Sequence, residues 1–301
     1  MDPTVVFVYD DGPLADYEDV YPVHRRFDAP ACVAVVTEWL GETPRLPARL
    51  VGRGTTHLDE SHLREFVADG WEVCAHGVAH RPLDATRTTA PVPAGDRVLP
   101  VETALHGRVA GDTLRIDTPA DGEVRASVAR PTRHPRQTAL VLRDPLTQPV
   151  PAGSTVRYAK SVVREELAGA KRALDARGFD VTSVALPYSR YGPTARAVVS
   201  ETYDAVANAA VGGLNTNPEN PHELRRQYLG RDALSDAQLE RFMETVRERD
   251  ALALFGGHSH AHVDAARVAD ALRLAENLGI RVTTLRDAAA DVRACARENE
   301  E

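Results

Sequence analysis

The sequence lacks the cysteine pairs and long apolar stretches that mark disulfide-rich or membrane-spanning proteins. Its three cysteines, Cys32, Cys74 and Cys295, are odd in number and widely separated. They therefore form neither a disulfide framework nor a Cys-x-x-Cys metal motif, and we expect them to be small buried residues. The longest apolar stretches, such as residues 31–36 and 251–255, are much shorter than the roughly 20 residues that cross a bilayer. We therefore predict no membrane span.

Excess positive charge and a targeting signal are also missing. Acidic residues outnumber basic residues by 44 to 36, which gives a net charge of -8. This balance argues against nucleic acid as the main ligand. The first four residues lead directly into the apolar residues 5–8, without a basic leader or a small-residue cleavage site. These absences predict a cytoplasmic protein that does not bind nucleic acid.

The chain contains enough apolar sequence for one large barrel or two ordinary domains, with 301 residues of which 43% are hydrophobic. Short β-branched segments alternate with amphipathic helical patterns, which is typical of repeated βα units. The predicted strands begin near Thr4, Ala31, Trp71, Val181, Ala205, Ala251 and Ile280. The predicted helices cover residues 16–27, 60–69, 161–177, 194–203, 235–249 and 262–278. This alternation predicts an α/β barrel.

A long insertion separates the third and fourth predicted strands, whose starts at Trp71 and Val181 are much farther apart than a βα unit requires. Within it, short alternating segments at 113–116, 123–128, 139–142 and 155–158 are broken by Pro and Gly. We predict a barrel formed by residues 1–86 and 159–301, with an all-β module at 87–158. Since this module follows a strand, we expect it at the C-terminal mouth of the barrel, where it most simply forms a wall or lid, with a peripheral decoration or a dimer contact as the alternative.

Several predicted strands end in residues suited to binding a metal ion. The first strand ends in Asp10 and Asp11, and the third ends at His76 with His80 four residues later. One carboxylate and two imidazoles form a set that holds a divalent ion and leaves positions open for water and substrate. The sequence therefore indicates a metal site at the barrel mouth.

Two further strand ends supply candidates for acid catalysis and oxyanion binding. The sixth predicted strand leads to His258 and His260, and a histidine there can protonate a leaving group near neutral pH. The fourth leads to Pro187 and Tyr188, whose amide is a candidate oxyanion donor. All of these residues are predicted to meet at one mouth.

At these positions the chain resembles the polysaccharide deacetylase family, the NodB homology domain of carbohydrate esterase family 4. Residues 9–13, Tyr-Asp-Asp-Gly-Pro, are similar to the family's first motif, Thr-Phe-Asp-Asp-Gly, and residues 76–80 are similar to its His-x-x-x-His motif. The resemblance implies a distorted (β/α)7 TIM-like barrel, to which this chain adds the β module after strand three. It also implies the following roles: general base Asp10; metal ligands Asp11, His76 and His80; acid His258; and oxyanion-binding residue Tyr188, with Pro187 in the same motif.

The chain departs from the family pattern in two places. Ala185 stands where the family has an arginine that orients the base, and Arg190 is a candidate substitute. The family's fourth motif, an aspartate near a tryptophan that supports the acid histidine, is not visible in residues 205–218. His260 is a further candidate supporting residue.

The resemblance implies a metal-dependent hydrolase, with Zn²⁺ as the expected ion and Co²⁺ or a similar ion as alternatives. The expected substrate is an N-acylated sugar or glycan, and a soluble or lipid-linked sugar intermediate suits a cytoplasmic enzyme. Two alternatives remain open. One is hydrolysis of a non-sugar amide, as in allantoinase-like relatives of the same fold. The other is a glycan-binding barrel with little or no turnover.

Overall fold

The computed structural model describes residues 2–41, 56–119, 122–132, 136–218 and 220–298. Its N-terminal part alternates strands and helices as predicted. The elements are β1 (Thr4–Asp11), α1 (Tyr21–Arg26), β2 (Cys32–Val35), α2 (Glu60–Ala68) and β3 (Glu72–Ala75). A π-helical turn, Asp16–Val20, leads directly into α1. The predicted helices over 16–27 and 60–69 are thereby confirmed.

Six short strands follow in the predicted insertion. They are β4 (Ala85–Arg87), β5 (Val98–Pro100), β6 (Thr113–Asp117), β7 (Glu123–Ser127), β8 (Ala139–Val141) and β9 (Thr155–Tyr158). They pair antiparallel as a four-stranded sheet, β4-β9-β6-β7, and a two-stranded sheet, β5-β8. All four strands predicted here are confirmed. Buried residues such as Leu114, Ile116 and Val156 join the same apolar cluster as the barrel residues, so the insertion packs against the barrel.

The remaining chain returns to the βα alternation. Its elements are α3 (Lys160–Arg164), α4 (Ala170–Asp175), β10 (Ser183–Val184), α5 (Pro193–Thr202), β11 (Ala205–Val206), β12 (Ala210–Val211), β13 (Arg225–Tyr228), α6 (Asp236–Glu248), β14 (Leu252–Gly257), α7 (Ala265–Leu278), β15 (Arg281–Thr283) and α8 (Leu285–Glu298). A π-helical turn, Glu165–Gly169, joins α3 to α4.

One curled sheet unites nine strands in the order β11-β10-β3-β2-β1-β14-β13-β12, with β15 also paired to β1. The pairings are parallel. This sheet, connected through helices, confirms the predicted α/β fold of the distorted barrel type. Strands β12 and β13 were not predicted from the sequence. Because β13 reads Arg-Arg-Gln-Tyr, it carries no apolar alternation that would identify it as a strand.

The two faces of the sheet pack against different elements. Val5, Phe7 and Tyr9 face the cluster that includes the surrounding helices. Val6 and Val8 face a second cluster, to which α8 contributes Leu285, Ala288, Ala289 and Val292. Because side chains alternate along a strand, Asp10 lies on the same face as Val6 and Val8. Helix α8 therefore fills the lower part of the face whose upper end carries the candidate site.

The three cysteines differ in their burial. Cys32 and Cys74 are buried, as predicted, whereas Cys295 is partly exposed. No helix among the described residues is long and apolar enough to cross a membrane.

Candidate active site

The end of β1 places two consecutive carboxylates in one cavity. Asp10 is buried, at 3% exposure. Asp11 has φ of 76°, in the left-handed region, and the chain turns sharply there into Gly12. The usual strand alternation is thus broken, and both carboxylates line a cavity of about 390 Å³. The same cavity is lined by the predicted residues His76, His80, Tyr188, His258 and His260.

Asp11, His76 and His80 bring three ligand atoms together. The Asp11 Oδ1 atom lies 3.4 Å from Nε2 of His76 and 3.3 Å from Nε2 of His80. The two Nε2 atoms are 3.1 Å apart. Ligand atoms that bind one ion at about 2.1 Å in tetrahedral positions lie roughly 3.4 Å apart, so the spacing fits a shared cation.

The hydrogen bonds around these three residues support the same assignment. The Nδ1 atom of His76 lies 2.8 Å from the carbonyl oxygen of Ala185, an acceptor that requires the proton on Nδ1. The Nε2 lone pair of His76 is therefore free to bind a cation. The Oδ1 atom of Asp11 is buried and has no hydrogen-bond partner within the described residues. A buried carboxylate oxygen without a partner is costly, and a bound cation would satisfy it.

The electrostatic environment keeps two of the three candidate ligands, Asp11 and His80, in protonation states that can bind a metal. Burial raises the pKa of Asp11, but nearby His80 and His76 lower it by more. The pKa of this carboxyl therefore lies well below its usual value. Burial lowers the pKa of His80 to about 3. An ionised carboxylate and a neutral imidazole are the forms that coordinate metal ions.

Asp10 forms a buried ion pair with Arg226, a residue that the sequence analysis missed. Arg226 donates from Nη1 to Oδ1 at 2.7 Å and from Nη2 to Oδ2 at 2.6 Å. Arg226 lies in β13 and passes over Gly256 in β14, where a methyl group would overlap its Cδ and Nε atoms. The adjacent glycines 256 and 257 at a strand end are the one sequence signal of this close approach.

Arg190, the predicted substitute for the family arginine, lies elsewhere. Its guanidinium pairs with Asp84 at 3.1 Å. The structure therefore gives the position next to Asp10 to Arg226 and not to Arg190. Ala185, at the position of the family arginine, contributes only its backbone carbonyl, which holds His76.

Tyr188 contacts the site through its hydroxyl group. This hydroxyl lies 2.9 Å from Nδ1 of His80 and accepts a hydrogen bond from Nε of Arg108 at 3.0 Å. Tyr188 has φ of 57° and follows the buried Pro187 in a tight turn. Buried Asn208 holds this turn, because its side chain bonds both the amide and the carbonyl of Leu186. Asn208 is a further supporting residue that the sequence analysis missed.

The two candidate histidines after β14 lie beside the candidate metal ligands. Nε2 of His258 is 3.6 Å from Oδ2 of Asp11, and its side chain is 30% exposed. The His260 ring lies 5.6 Å from the His258 ring, and burial lowers the pKa of His260. Between them, Ser259 donates to the buried carboxyl of Asp16 at 2.5 Å. Asp16, also missed from the sequence, thus anchors the loop that carries both histidines.

Comparison with known proteins shows which family part of this chain resembles. Residues 1–97 match the family model described as polysaccharide deacetylase. The predicted resemblance to this family is confirmed over residues 1–97. The matched part of the chain includes Asp10, Asp11, His76 and His80, the residues on which the resemblance rests. No curated protein matches the chain by sequence.

Comparison with solved structures finds matches from several bacteria. The CE4 family pseudoenzyme BA3943 of Bacillus anthracis has a TM-score of 0.50 at 9% identity, covering 96% of this chain and 66% of that chain. The peptidoglycan deacetylase PdaC of Bacillus subtilis has a TM-score of 0.49 at 12% identity, covering 100% of this chain and 97% of that chain. The deacetylase PplD of Streptococcus pyogenes has a TM-score of 0.37 at 15% identity, covering 70% of this chain and 56% of that chain. This chain thus spans little more than half of PplD.

Proposed function

We propose that this protein is a metal-dependent hydrolase that removes an acyl group, in the simplest case N-acetyl, from a sugar or glycan amide. The observation that carries this proposal is the meeting of Asp11, His76 and His80 around one point, beside the buried Asp10. The family match over residues 1–97 supports a deacetylase. It includes both motifs that supply these residues.

Asp11, His76 and His80 would hold the ion, with Zn²⁺ as the expected metal. Two imidazoles and a carboxylate are typical Zn²⁺ ligands in catalytic sites, where further positions remain open. A divalent ion bound there polarises the substrate carbonyl and lowers the pKa of bound water.

Asp10 is assigned as the general base. Burial raises the pKa of Asp10, but the Arg226 guanidinium and His76 lower it by more, so the carboxyl stays ionised at neutral pH. Two hydrogen bonds from Arg226 leave further lone pairs on the carboxylate, one of which can take the proton of the attacking water. Arg226 fixes the direction of these lone pairs.

His258 is assigned as the acid that protonates the leaving amine. It is partly exposed in the cavity that contains Asp10 and Asp11, so a substrate nitrogen can approach it. Tyr188, in the turn after Pro187, positions His80 through its hydroxyl.

Metal analysis combined with an acetate-release assay tests this assignment. We expect one zinc ion per chain in the zinc-loaded protein and none in the Asp11→Ala, His76→Ala double variant. Asp10→Asn should keep the zinc but release acetate from N-acetyl sugars about 100 to 10,000 times more slowly, the usual contribution of a general base. If the double variant retains zinc, Asp11 and His76 are not the metal ligands. Near-normal turnover by Asp10→Asn would overturn the mechanism.

The same assay separates the two alternatives. Hydrolysis of allantoin without acetate release from any N-acetyl sugar would favour a non-sugar amide substrate. Stoichiometric zinc with no turnover of either would favour a glycan-binding barrel.

A further inference from the structure

The insertion contributes one charged residue, Arg108, to the candidate active site. Arg108 follows the 3₁₀ turn Leu105–Gly107 and lines the same cavity as Asp10, Asp11 and His258. Its Nε atom donates to the Tyr188 hydroxyl, and its guanidinium carbon lies 5.5 Å from the centre of the Tyr188 ring. The insertion therefore forms part of the wall of the cavity.

The guanidinium of Arg108 is incompletely paired. Its Nη1 atom is buried and has no hydrogen-bond partner in the described part of the chain. In the same residues no carboxylate lies within ion-pair distance of it. An arginine that loses water without gaining an anion is unfavourable, so a ligand anion would stabilise this arrangement.

Three arginines on neighbouring strands and loops differ from Arg108 in this respect. Arg226 binds both oxygens of Asp10. Arg81, which follows the ligand His80, pairs with Asp112 at 2.7 Å and with Glu166 at 2.9 Å. Arg190 pairs with Asp84. Each of these charges is already compensated, which leaves Arg108 as the arginine available to a ligand among those described near the site.

The backbone next to Arg108 is held firmly in place. Gly107 lies so close to Thr132 and Leu140 that a methyl group would overlap both. The amide of Thr132 donates to the Gly107 carbonyl at 2.7 Å, and the Tyr158 hydroxyl donates to the His106 carbonyl at 2.9 Å. Arg108 is thus positioned before a ligand arrives, which reduces the entropy lost on binding.

We propose that Arg108 forms an anion subsite beside the metal ligands and that the natural substrate is an N-acylated sugar with a carboxylate or phosphate group. This inference rests on the proposed function and specifies its substrate class. Charge balance supports it. Arg226 neutralises Asp10, and a divalent ion would outweigh Asp11, so with Arg108 the occupied site has a net positive charge although the chain carries -8.

Steady-state kinetics with matched substrates test the subsite. Neutral N-acetylglucosamine is compared with its 6-phosphate and with N-acetylmuramic acid, which carries a carboxylate. The zinc-loaded wild type should have a kcat/KM about 10- to 100-fold higher for at least one charged sugar, as expected for a charge-assisted bidentate contact. Arg108→Gln should remove this preference mainly through KM, and Arg108→Lys should retain part of it. Which charged sugar is preferred identifies the anion.

A matched control is available in the same insertion. Arg125 is 77% exposed and pairs with Glu123, so Arg125→Gln should leave the preference unchanged. If Arg108→Gln lowers kcat equally for neutral and charged sugars, its role is to orient Tyr188, and the subsite is disproved. The absence of any preference in the wild type would also disprove it.

Product binding gives a readout that does not depend on turnover. By titration calorimetry, glucosamine 6-phosphate should bind the zinc-loaded wild type about 10-fold more tightly than glucosamine. If Arg108→Gln still binds glucosamine 6-phosphate more tightly than glucosamine, the phosphate contacts the metal ion and not Arg108. If no substrate releases acetate, the proposed hydrolase fails, whereas the binding gap still decides the subsite.

Discussion

At the scale of single residues, Asp10 pairs with an arginine that lies in a different strand than the family pattern implies. Ala185, in the position of the family arginine, lies at the end of β10, whereas Arg226 reaches Asp10 from β13. Both oxygens of the carboxylate are bonded, and both residues are buried. The pair therefore fixes the orientation of Asp10, the proposed general base.

Replacing Arg226 with lysine should disturb the base without emptying the metal site. A lysine ammonium cannot make the two parallel hydrogen bonds of a guanidinium, so Asp10 becomes free to rotate. We expect Arg226→Lys to lower kcat roughly 100-fold, the scale of a misplaced catalytic group, while KM and zinc content change little. Steady-state kinetics and metal analysis measure these effects. Arg190→Lys serves as the control, and an equal loss in both variants would contradict the assignment.

At the scale of elements, a π-helical turn holds the loop that carries the proposed metal ligands His76 and His80. Glu166 lies in the turn Glu165–Gly169 and is 1% exposed. Its Oε1 atom accepts the amides of Ala79 and Arg81, both at 2.9 Å. Its Oε2 atom pairs with the Arg81 guanidinium, which also binds Asp112 of the insertion. Glu166 thereby joins the ligand loop, the helices and the insertion, and such π turns often lie at functional sites.

Loss of the Glu166 charge should weaken metal binding, although this residue touches no metal ligand side chain. Glu166→Gln keeps the size of the side chain but removes the ion pair that fixes Arg81, next to His80. We expect zinc affinity to fall about 10- to 100-fold, as for other residues that support metal ligands. Competition with a fluorescent zinc chelator measures it. The neighbouring Glu165 is 66% exposed and pairs with Arg172. Glu165→Gln should bind zinc normally, and an equal effect of both changes would refute the prediction.

At the scale of the whole molecule, burial makes folding sensitive to acid. His24, in α1, is fully buried. It bonds the Tyr9 hydroxyl of β1 and packs against Trp71. Burial lowers the pKa of His24 to about 4. In the unfolded chain this pKa is about 6.5, so between pH 6.5 and 4 the unfolded state takes up a proton that the folded state does not. The free energy of unfolding therefore decreases as the pH is lowered through this window.

Urea unfolding between pH 4 and 8 tests this acid sensitivity. His24 should contribute a loss of about 3 kcal/mol between pH 6.5 and 4, and none of this loss above that window. His24→Gln should be less stable than the wild type at pH 8, because ring contacts are lost, but the difference should shrink as the pH falls. His62→Gln, at a half-buried position near the surface, is the control. A difference between wild type and His24→Gln that stays constant over this range would exclude His24 as the titrating group.

Much of the architecture followed from local pattern. The β-branched segments predicted all seven expected strands of the barrel and four strands of the insertion, because a period of two marks a strand wherever one face is buried. Asp10, Asp11, His76 and His80 could be grouped because parallel strands end at one edge of the sheet. Helix α8 was missed, since the apolar side of its buried part contains mainly alanines 288 and 289 beside Leu285 and Val292.

By itself, the sequence determined where most of the strands lie, which residues are proposed as metal ligands and where the insertion lies, because each is read from motifs of a few neighbouring residues. Tertiary structure decided the partners of those residues. Arg226 and Asp10 are 216 positions apart, and β13 carries no apolar pattern that would place Arg226 in the sheet. Arg108 reaches Tyr188 from 80 positions away. Contacts of this kind depend on how the sheet curls and where the insertion packs, which is the outcome of all the burial in the fold and not of any single segment.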